Sequence, residues 1–124
     1  MKSHSKVTIV GGGIMGVSLL YHLTKEGWND IVLVEKGELT SGSTWHAAGQ
    51  CPHFVGSFNS AKIHNYSNKL YQELEKETGQ STGWHGCGSI RLALNQEDIN
   101  WFYYVKGILD IVGSPAEIIS KEKI

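Results

Sequence analysis

No apolar run in this sequence comes near the roughly 20 residues that a helix needs to cross a bilayer. An excess of either charge is also missing, since the formal net charge is −1. Neither a phosphate backbone nor an anionic lipid surface then has an electrostatic reason to bind, so no nucleic acid and no membrane is expected as a partner. Cysteine is scarce, at two residues. The first β-branched run starts beside Lys6, which leaves no room for a signal or transit peptide, and a reducing, cytoplasmic compartment is the expectation. That setting also removes the meaning of the formal glycosylation acceptor Asn65-Tyr66-Ser67, because the acceptor reading needs secretion. Arginine occurs once, at Arg91. It either faces solvent, the plainer reading, or takes a carboxylate in bidentate fashion. Internal repeats and low-complexity segments are absent. Against these absences stand a hydrophobic content of 40% and four tryptophans, which argue for a packed core over disorder.

The sequence is organised around Lys6 to Glu35, which reads strand, glycine turn, helix, strand. The apolar run Val7 to Val10 leads into Gly11-Gly12-Gly13-Ile14-Met15-Gly16, a G-x-G-x-x-G. Ile14 to Lys25 then has helical apolar spacing, with Val17, Leu20, Tyr21 and Leu23 available to a sheet and Gly27 to close the helix. Ile31 to Val34 is a second apolar run, and Glu35 ends it. Each part has a mechanical purpose. Gly11 permits a tight exit from the strand. Gly13 lacks a β-carbon, so a pyrophosphate can approach the backbone, and Gly16 lets the helix pack closely on the sheet. The helix start presents free N–H groups and a positive dipole end to phosphates. Glu35 can accept hydrogen bonds from ribose hydroxyls. A glycine-rich turn without a ligand would share the glycines but not the strands, helix and terminal acid in register. The motif alone does not separate NAD from FAD.

A dinucleotide fold is built from two mononucleotide halves, and no second clean strand-helix-strand unit follows Glu35. The chain is therefore expected to be the N-terminal piece of a longer protein, or a subunit completed by another chain. Ser41 to Gln50 is a segment of small residues with one Trp and one His. Ser43 or Thr44 can cap a short helix over Trp45 to Gly49, and something flat or bulky can lie against its backbone. A tight helix-to-sheet contact would want the same small residues. Asn59 to Thr78 is an amphipathic helix whose expected core stripe is Ile63, Tyr66, Leu70 and Leu74, capped by Asn59 or Ser60 and ended by Gly79. Gly88 to Leu94 alternates like a strand. Gln96 to Val112 is a further helix with Ile99, Phe102, Val105, Leu109 and Val112 in period, capped by Asn95 and stopped by Gly113 and Pro115.

Few constellations carry other chemistry. Cys51-Pro52-His53 and His85-Gly86-Cys87 offer two thiols and two imidazoles, but one intervening residue strains a zinc chelate, so no metal is expected. No strand-borne elbow or activated thiol supplies a nucleophile. Glu73, Glu75 and Glu77 are most simply a solvated helix face. His46 is different, because it lies among small residues just after the βαβ unit. A neutral imidazole there can attack an electrophilic flavin methyl, or it can be a supporting histidine near the cofactor. The residues by themselves leave both roles open.

The segments Val10-Gly11-Gly12-Gly13-Ile14-Met15-Gly16-Val17-Ser18-Leu19-Leu20-Tyr21-His22-Leu23, Gly42-Ser43-Thr44-Trp45-His46-Ala47-Ala48-Gly49, Glu77-Thr78-Gly79-Gln80 and Gly88-Ser89-Ile90-Arg91-Leu92-Ala93 occur in this order. Together they closely resemble the dimethylglycine and sarcosine dehydrogenase family, flavoproteins of the glycine and D-amino-acid oxidase class. The resemblance runs from Lys6 to the end of the chain. It implies an α/β, Rossmann-like FAD-binding fold of which only the N-terminal portion is present. Its parts would be a βαβ unit at 6–35, an FAD-contacting loop at 41–50 and a helix-strand-helix extension at 59–113. It implies FAD, bound covalently through His46. The residues it places against the cofactor are Gly11, Gly13, Ile14, Met15 and Gly16, then Glu35 and Lys36, then Ser43, Thr44, His46, Ala47, Ala48 and Gly49. The implied reaction removes an N-methyl group from a small-molecule amine by hydride transfer to the flavin, with the product released as formaldehyde or captured by tetrahydrofolate. Family catalytic groups and the folate region lie beyond this chain, so no catalytic residue is carried over, and the rest of the enzyme or a partner subunit is implied. In a eukaryote the compartment would be the mitochondrial matrix. Two other outcomes remain: an amino-acid oxidase that passes electrons to oxygen, and a non-catalytic nucleotide-binding subunit.

Overall fold

The computed structural model describes residues 3–123, which fall into two compact units divided between Gln50 and Cys51. In the first unit, strand β1 (Val7–Val10), helix α1 (Ile14–Lys25) and strand β2 (Ile31–Val34) follow one another. β1 and β2 pair in parallel, Val7 opposite Ile31 through Val10 opposite Val34. Antiparallel neighbours can be joined by a tight turn, whereas parallel ones need a crossover, and α1 is that crossover. α1 packs on both strands, with Ile9 buried beneath it. The helix ends where the sequence says it should. Gly27 takes φ 82°, its amide donates to the Thr24 carbonyl, and the Trp28 amide donates to that of Leu23. This is the left-handed glycine closure that a residue with a β-carbon resists.

The second unit holds α2 (Phe58–Thr78), α3 (Gln96–Val112) and a 3-10 turn at Lys121–Lys123. α3 is capped by the Asn95 side chain, which accepts from the Asp98 amide at 2.9 Å. Asp98 in return accepts from the Leu94 amide at 2.8 Å, and Glu97 and Asp98 sit favourably at the positive helix end. α2 is capped by Ser57 and closed by Gly79 at φ 71°. The two helices pack around Ala61, Val105 and Leu109, with Phe54, Val55, Ile108, Val112 and Ala116 around them. Asn65 Nδ2 donates to the Val112 carbonyl at 2.7 Å. The amide of the formal glycosylation acceptor is thus already engaged inside a helix pair.

Several expectations need correction here. The face of α2 turned inward is Ala61 and Asn68, not the stripe Ile63, Tyr66, Leu70 and Leu74: Ile63 and Tyr66 are exposed. Ala61 has almost no side chain and packs with Val105 and Leu109 of α3, so this face of α2 is the covered one. The helix-strand-helix extension lacks its strand. Residues 88–94 join no ladder among the described residues, because a strand needs a neighbour to bond with and this chain presents none to it. The short helix over Trp45 to Gly49 is instead a run of turns through residues 39–46. The cap of α2 is Ser57, not Asn59 or Ser60.

Candidate dinucleotide-binding site

The glycine turn is shaped by three different restraints. Gly11 has φ 107°, a conformation that a β-carbon disfavours. Gly16 sits where α1 meets the strand exit: a Cβ there would lie 1.9 Å from the Gly11 carbonyl oxygen and 3.3 Å from Ile9 Cγ2. At Gly13 a Cβ would stand 3.0 Å from Thr44 Oγ1. Gly12, the unspecified position of the G-x-G-x-x-G pattern, is buried. A Cβ there would come within 2.5 Å of Leu39 Cδ2 and 3.1 Å of Glu35 Cβ. Its necessity is invisible in the motif, because the neighbours that demand it are 23 and 27 positions away.

Glu35 closes the site from the end of β2. Its Oε2 accepts from the Gly12 amide at 2.6 Å and its Oε1 from the Gly37 amide at 3.0 Å. The Gly12 bond, then the Gly37 bond, holds this carboxyl below its ordinary value of 4.5, against a smaller opposing effect of desolvation. The ionised carboxylate keeps further lone pairs for hydroxyl donors. Lys36 follows as an exposed side chain whose charge adds slightly to the same lowering.

The first amides of an α-helix have no helical acceptor, and Gly13, the N-cap of α1, offers no side chain. Thr44 supplies one from far along the chain: the Ile14 amide donates to Thr44 Oγ1 at 2.9 Å. The Thr40 amide donates to the Gly12 carbonyl at 3.0 Å, so the turn 39–46 folds over the glycine loop at two points. The Ile14 and Met15 side chains are exposed. What they present to the site is backbone. Beyond Thr44 the segment is exposed through Gln50. The Ser43 carbonyl accepts from the His46 amide at 3.2 Å, and the Ala47 amide donates to the Thr44 carbonyl at 3.3 Å. Gly49 has φ 70°. His46 Nδ1 donates to the Gly42 carbonyl at 2.9 Å. A carbonyl can only accept, so Nδ1 carries a proton, and in the neutral ring the lone pair is on Nε2.

The structure thus brings Gly11, Gly13, Ile14, Gly16, Glu35 and Thr44 together around the glycine turn, Ile14 and Thr44 by a direct hydrogen bond, Glu35 through the Gly12 amide and Gly16 by close approach to the Gly11 carbonyl. Ser43, His46, Ala47, Ala48 and Gly49 lie on the exposed turn that this cluster holds. Sequence reasoning passed over Gly12, Gly37, Leu39, Thr40 and Gly42. The only signals for them were a third glycine in a row and small residues beyond Glu35. Elsewhere, Cys51 and Cys87 are free thiols, and among the described residues no group of three or more His, Cys, Asp or Glu is placed to hold a metal ion. Arg91 stacks its guanidinium 4.8 Å from the Phe54 ring centre.

A dinucleotide fits these residues. The glycine turn opens straight into the first turn of α1, and an acid held ionised by amide donors is fixed at the end of β2. Parallel strands, a crossover helix springing from a glycine turn and an acid ending the second strand define a Rossmann-type dinucleotide-binding protein. The DAO, FAD dependent oxidoreductase, family model matches residues 6–124; the chain belongs to that family. Rat mitochondrial dimethylglycine dehydrogenase is 50% identical over 99% of this chain. The mouse pyruvate dehydrogenase phosphatase regulatory subunit is 47% identical over 100% of it, and mouse mitochondrial sarcosine dehydrogenase 33% over 97%. The chain spans only 14%, 14% and 13% of those curated relatives. The crystal structure of L-proline dehydrogenase from P.horikoshii matches with a TM-score of 0.80 at 22% identity, over 99% of this chain and 32% of that one, which shows the shared fold. Among the described residues no helix is long and apolar enough to cross a membrane.

Proposed function

We propose that this chain is the FAD-holding N-terminal part of an oxidoreductase that demethylates an N-methyl amino acid, with dimethylglycine ahead of sarcosine. The observation that carries the choice of substrate class is the graded similarity, 50% to a dimethylglycine dehydrogenase against 33% to a sarcosine dehydrogenase. FAD, when bound, supplies the two-electron acceptor that takes hydride from the methyl carbon. The chain's own contributions are to bind and orient. Helix α1 and the glycine turn favour the diphosphate, Glu35 accepts from the ribose hydroxyls, and Lys36, Met15 and the small residues Ser43 and Ala47 to Gly49 line the approach. His46 anchors the cofactor covalently. Its Nδ1 is committed to the Gly42 carbonyl, which leaves Nε2 as the nitrogen that forms the bond.

The substrate-binding groups, the proton-accepting base and any tetrahydrofolate site belong to polypeptide outside this chain, and in a eukaryote the compartment would be the mitochondrial matrix, a reading supported by relatives named as mitochondrial. The test uses the whole enzyme that carries this chain. Flavin colour should survive acid precipitation, His46→Ala should bind FAD reversibly and lose that acid-stable colour, and dimethylglycine should yield formaldehyde faster than sarcosine. Release of hydrogen peroxide in step with turnover would instead mark an oxygen-using oxidase.

A second reading has its own support. A protein named as a regulatory subunit is 47% identical over the entire chain, nearly as similar as the dehydrogenase, which supports a non-catalytic nucleotide-binding subunit as the alternative. Bound flavin that no N-methyl amine bleaches under anaerobic conditions would favour it.

A further inference from the structure

We propose that Thr44 is the positioning residue for His46. Its hydroxyl pins the turn 39–46 to the first amide of α1 and thereby holds Nε2 where the bond to the cofactor forms. The inference rests on His46 being the covalent anchor.

Thr44 is the one residue of the stretch 36–50 that is not exposed. Its Oγ1 takes the Ile14 amide at 2.9 Å and lies so near Gly13 that a β-carbon there would stand 3.0 Å from it. From this pin to the imidazole, two residues on, the chain is tied to itself. The Trp45 amide donates to the Thr40 carbonyl at 3.0 Å and to that of Gly42 at 3.1 Å, and the His46 amide donates to Ser43. The ring itself donates to Gly42. Gly42 therefore orients the imidazole, the turn orients Gly42, and Thr44 with Thr40 fixes the turn. Within this chain no packing substitutes for these bonds, because Trp45 is 78% exposed and the residues from 46 to 50 are exposed too. In such a segment, hydrogen bonds are the restraint that remains. The proposal explains why α1 takes its cap from a residue 30 positions downstream and not from its own N-cap.

A bond forms between His46 Nε2 and the methyl carbon of the ring, and one C–H bond of that methyl breaks. The electron pair of that C–H bond passes to the ring, which takes up the methyl and imidazole protons and is reduced by two electrons. Dioxygen then reoxidises the ring and leaves as hydrogen peroxide.

The experiment uses the whole enzyme, prepared without flavin and reconstituted with saturating FAD. Reversible binding is read from quenching of FAD fluorescence, and the covalent bond from acid-stable flavin against time. Thr44→Val should bind FAD and form acid-stable flavin about ten- to hundredfold more slowly, the scale of a small misplacement of a reacting group. Thr44→Ser should restore the rate. If Val misfolds, Thr44→Ala removes the same hydroxyl without new bulk and takes its place. A wild-type rate in the hydroxyl-free variant overturns the proposal. So does a Ser variant as slow as the Val one, or complete loss of FAD binding, which would make Thr44 a cofactor holder only. Acid-stable flavin in His46→Ala would sink the covalent reading itself, and this inference with it.

Discussion

Gly16→Ala is the sharpest probe of the close approach between α1 and β1. The added methyl would stand 1.9 Å from a backbone oxygen, the Gly11 carbonyl, where ordinary contact begins at 3.4 Å. A backbone oxygen cannot rotate away as a side-chain tip does. The gap must open by shifting the whole first turn of α1 or by opening the exit from β1, and both also disturb Ile9 Cγ2 at 3.3 Å. Overpacking of this kind costs about 1–3 kcal/mol, and the rigid partner argues for the upper end. Alanine gains back about 1 kcal/mol of helix propensity over glycine. The net expectation is a loss of about 2 kcal/mol. FAD affinity should fall as well, because the displaced turn carries the amides that meet the diphosphate.

The measurement is a denaturant titration of the flavin-free enzyme followed by tryptophan fluorescence, with an FAD titration alongside. Gly42→Ala is the control: a Cβ there meets nothing within 4 Å and φ is not positive, so stability should hold within about 0.5 kcal/mol. If Gly16→Ala is as stable as Gly42→Ala and binds FAD as tightly as the unaltered enzyme, the helix does not need to touch the strand exit, and the account of the glycine turn is wrong.

Gly12→Ala should also destabilise, by collision with Leu39 and Glu35; because Leu39 offers only a flexible side-chain end, the double variant with Leu39→Ala should recover part of the loss, read by the same titration. Glu35 has a lowered folded-state value, so its contribution is full above the ordinary 4.5 and disappears as pH falls through the folded value. Stability measured from pH 7 to pH 3 should decline below about 4.5, and Glu35→Gln should flatten that part of the decline; parallel curves would refute the amide clamp. Asn95→Ala should cost about 1 kcal/mol through loss of the α3 cap, and an unchanged melting profile would count against that cap. Amide exchange in the whole enzyme should protect residues 89–93, whose strand pattern needs a partner, and free exchange there would mean that no strand pairs with them.

How far the sequence was legible depends on how far each residue's decisive neighbour lies along it. Val7–Val10, Ile14–Lys25 and Ile31–Val34 were readable because hydrophobic period, glycine turn and closing Gly27 all act locally. The Asn95 cap was readable for the same reason, since its acceptor bond spans three residues. Thr44 was read as a local helix cap and, through resemblance, as a cofactor contact, whereas its bond to Ile14, thirty residues back, has no periodic signature. Gly12 was missed because Leu39 and Glu35 impose its glycine by folding back over it.

The two errors of pattern, the α2 stripe and the unpaired strand, have a common physical origin. In both, the alternation of apolar residues is real, but the surface that would cover it is not supplied by these 124 residues. Ile63 is 65% exposed and Leu92 69%, while Ala61 is completely buried. In a closed fold Ile63 and Leu92 would be covered as well. The sheet repeats the pattern: α1 lies on β1 and β2, yet Val10 is 85% exposed, and parallel strands are ordinarily covered on both faces. Hydrophobic period reports that a face will be buried, not by what. A chain that spans 14% of its relatives therefore carries a pattern suited to a larger core. Its dinucleotide turn is already complete, because every restraint on that turn comes from residues 9 to 44.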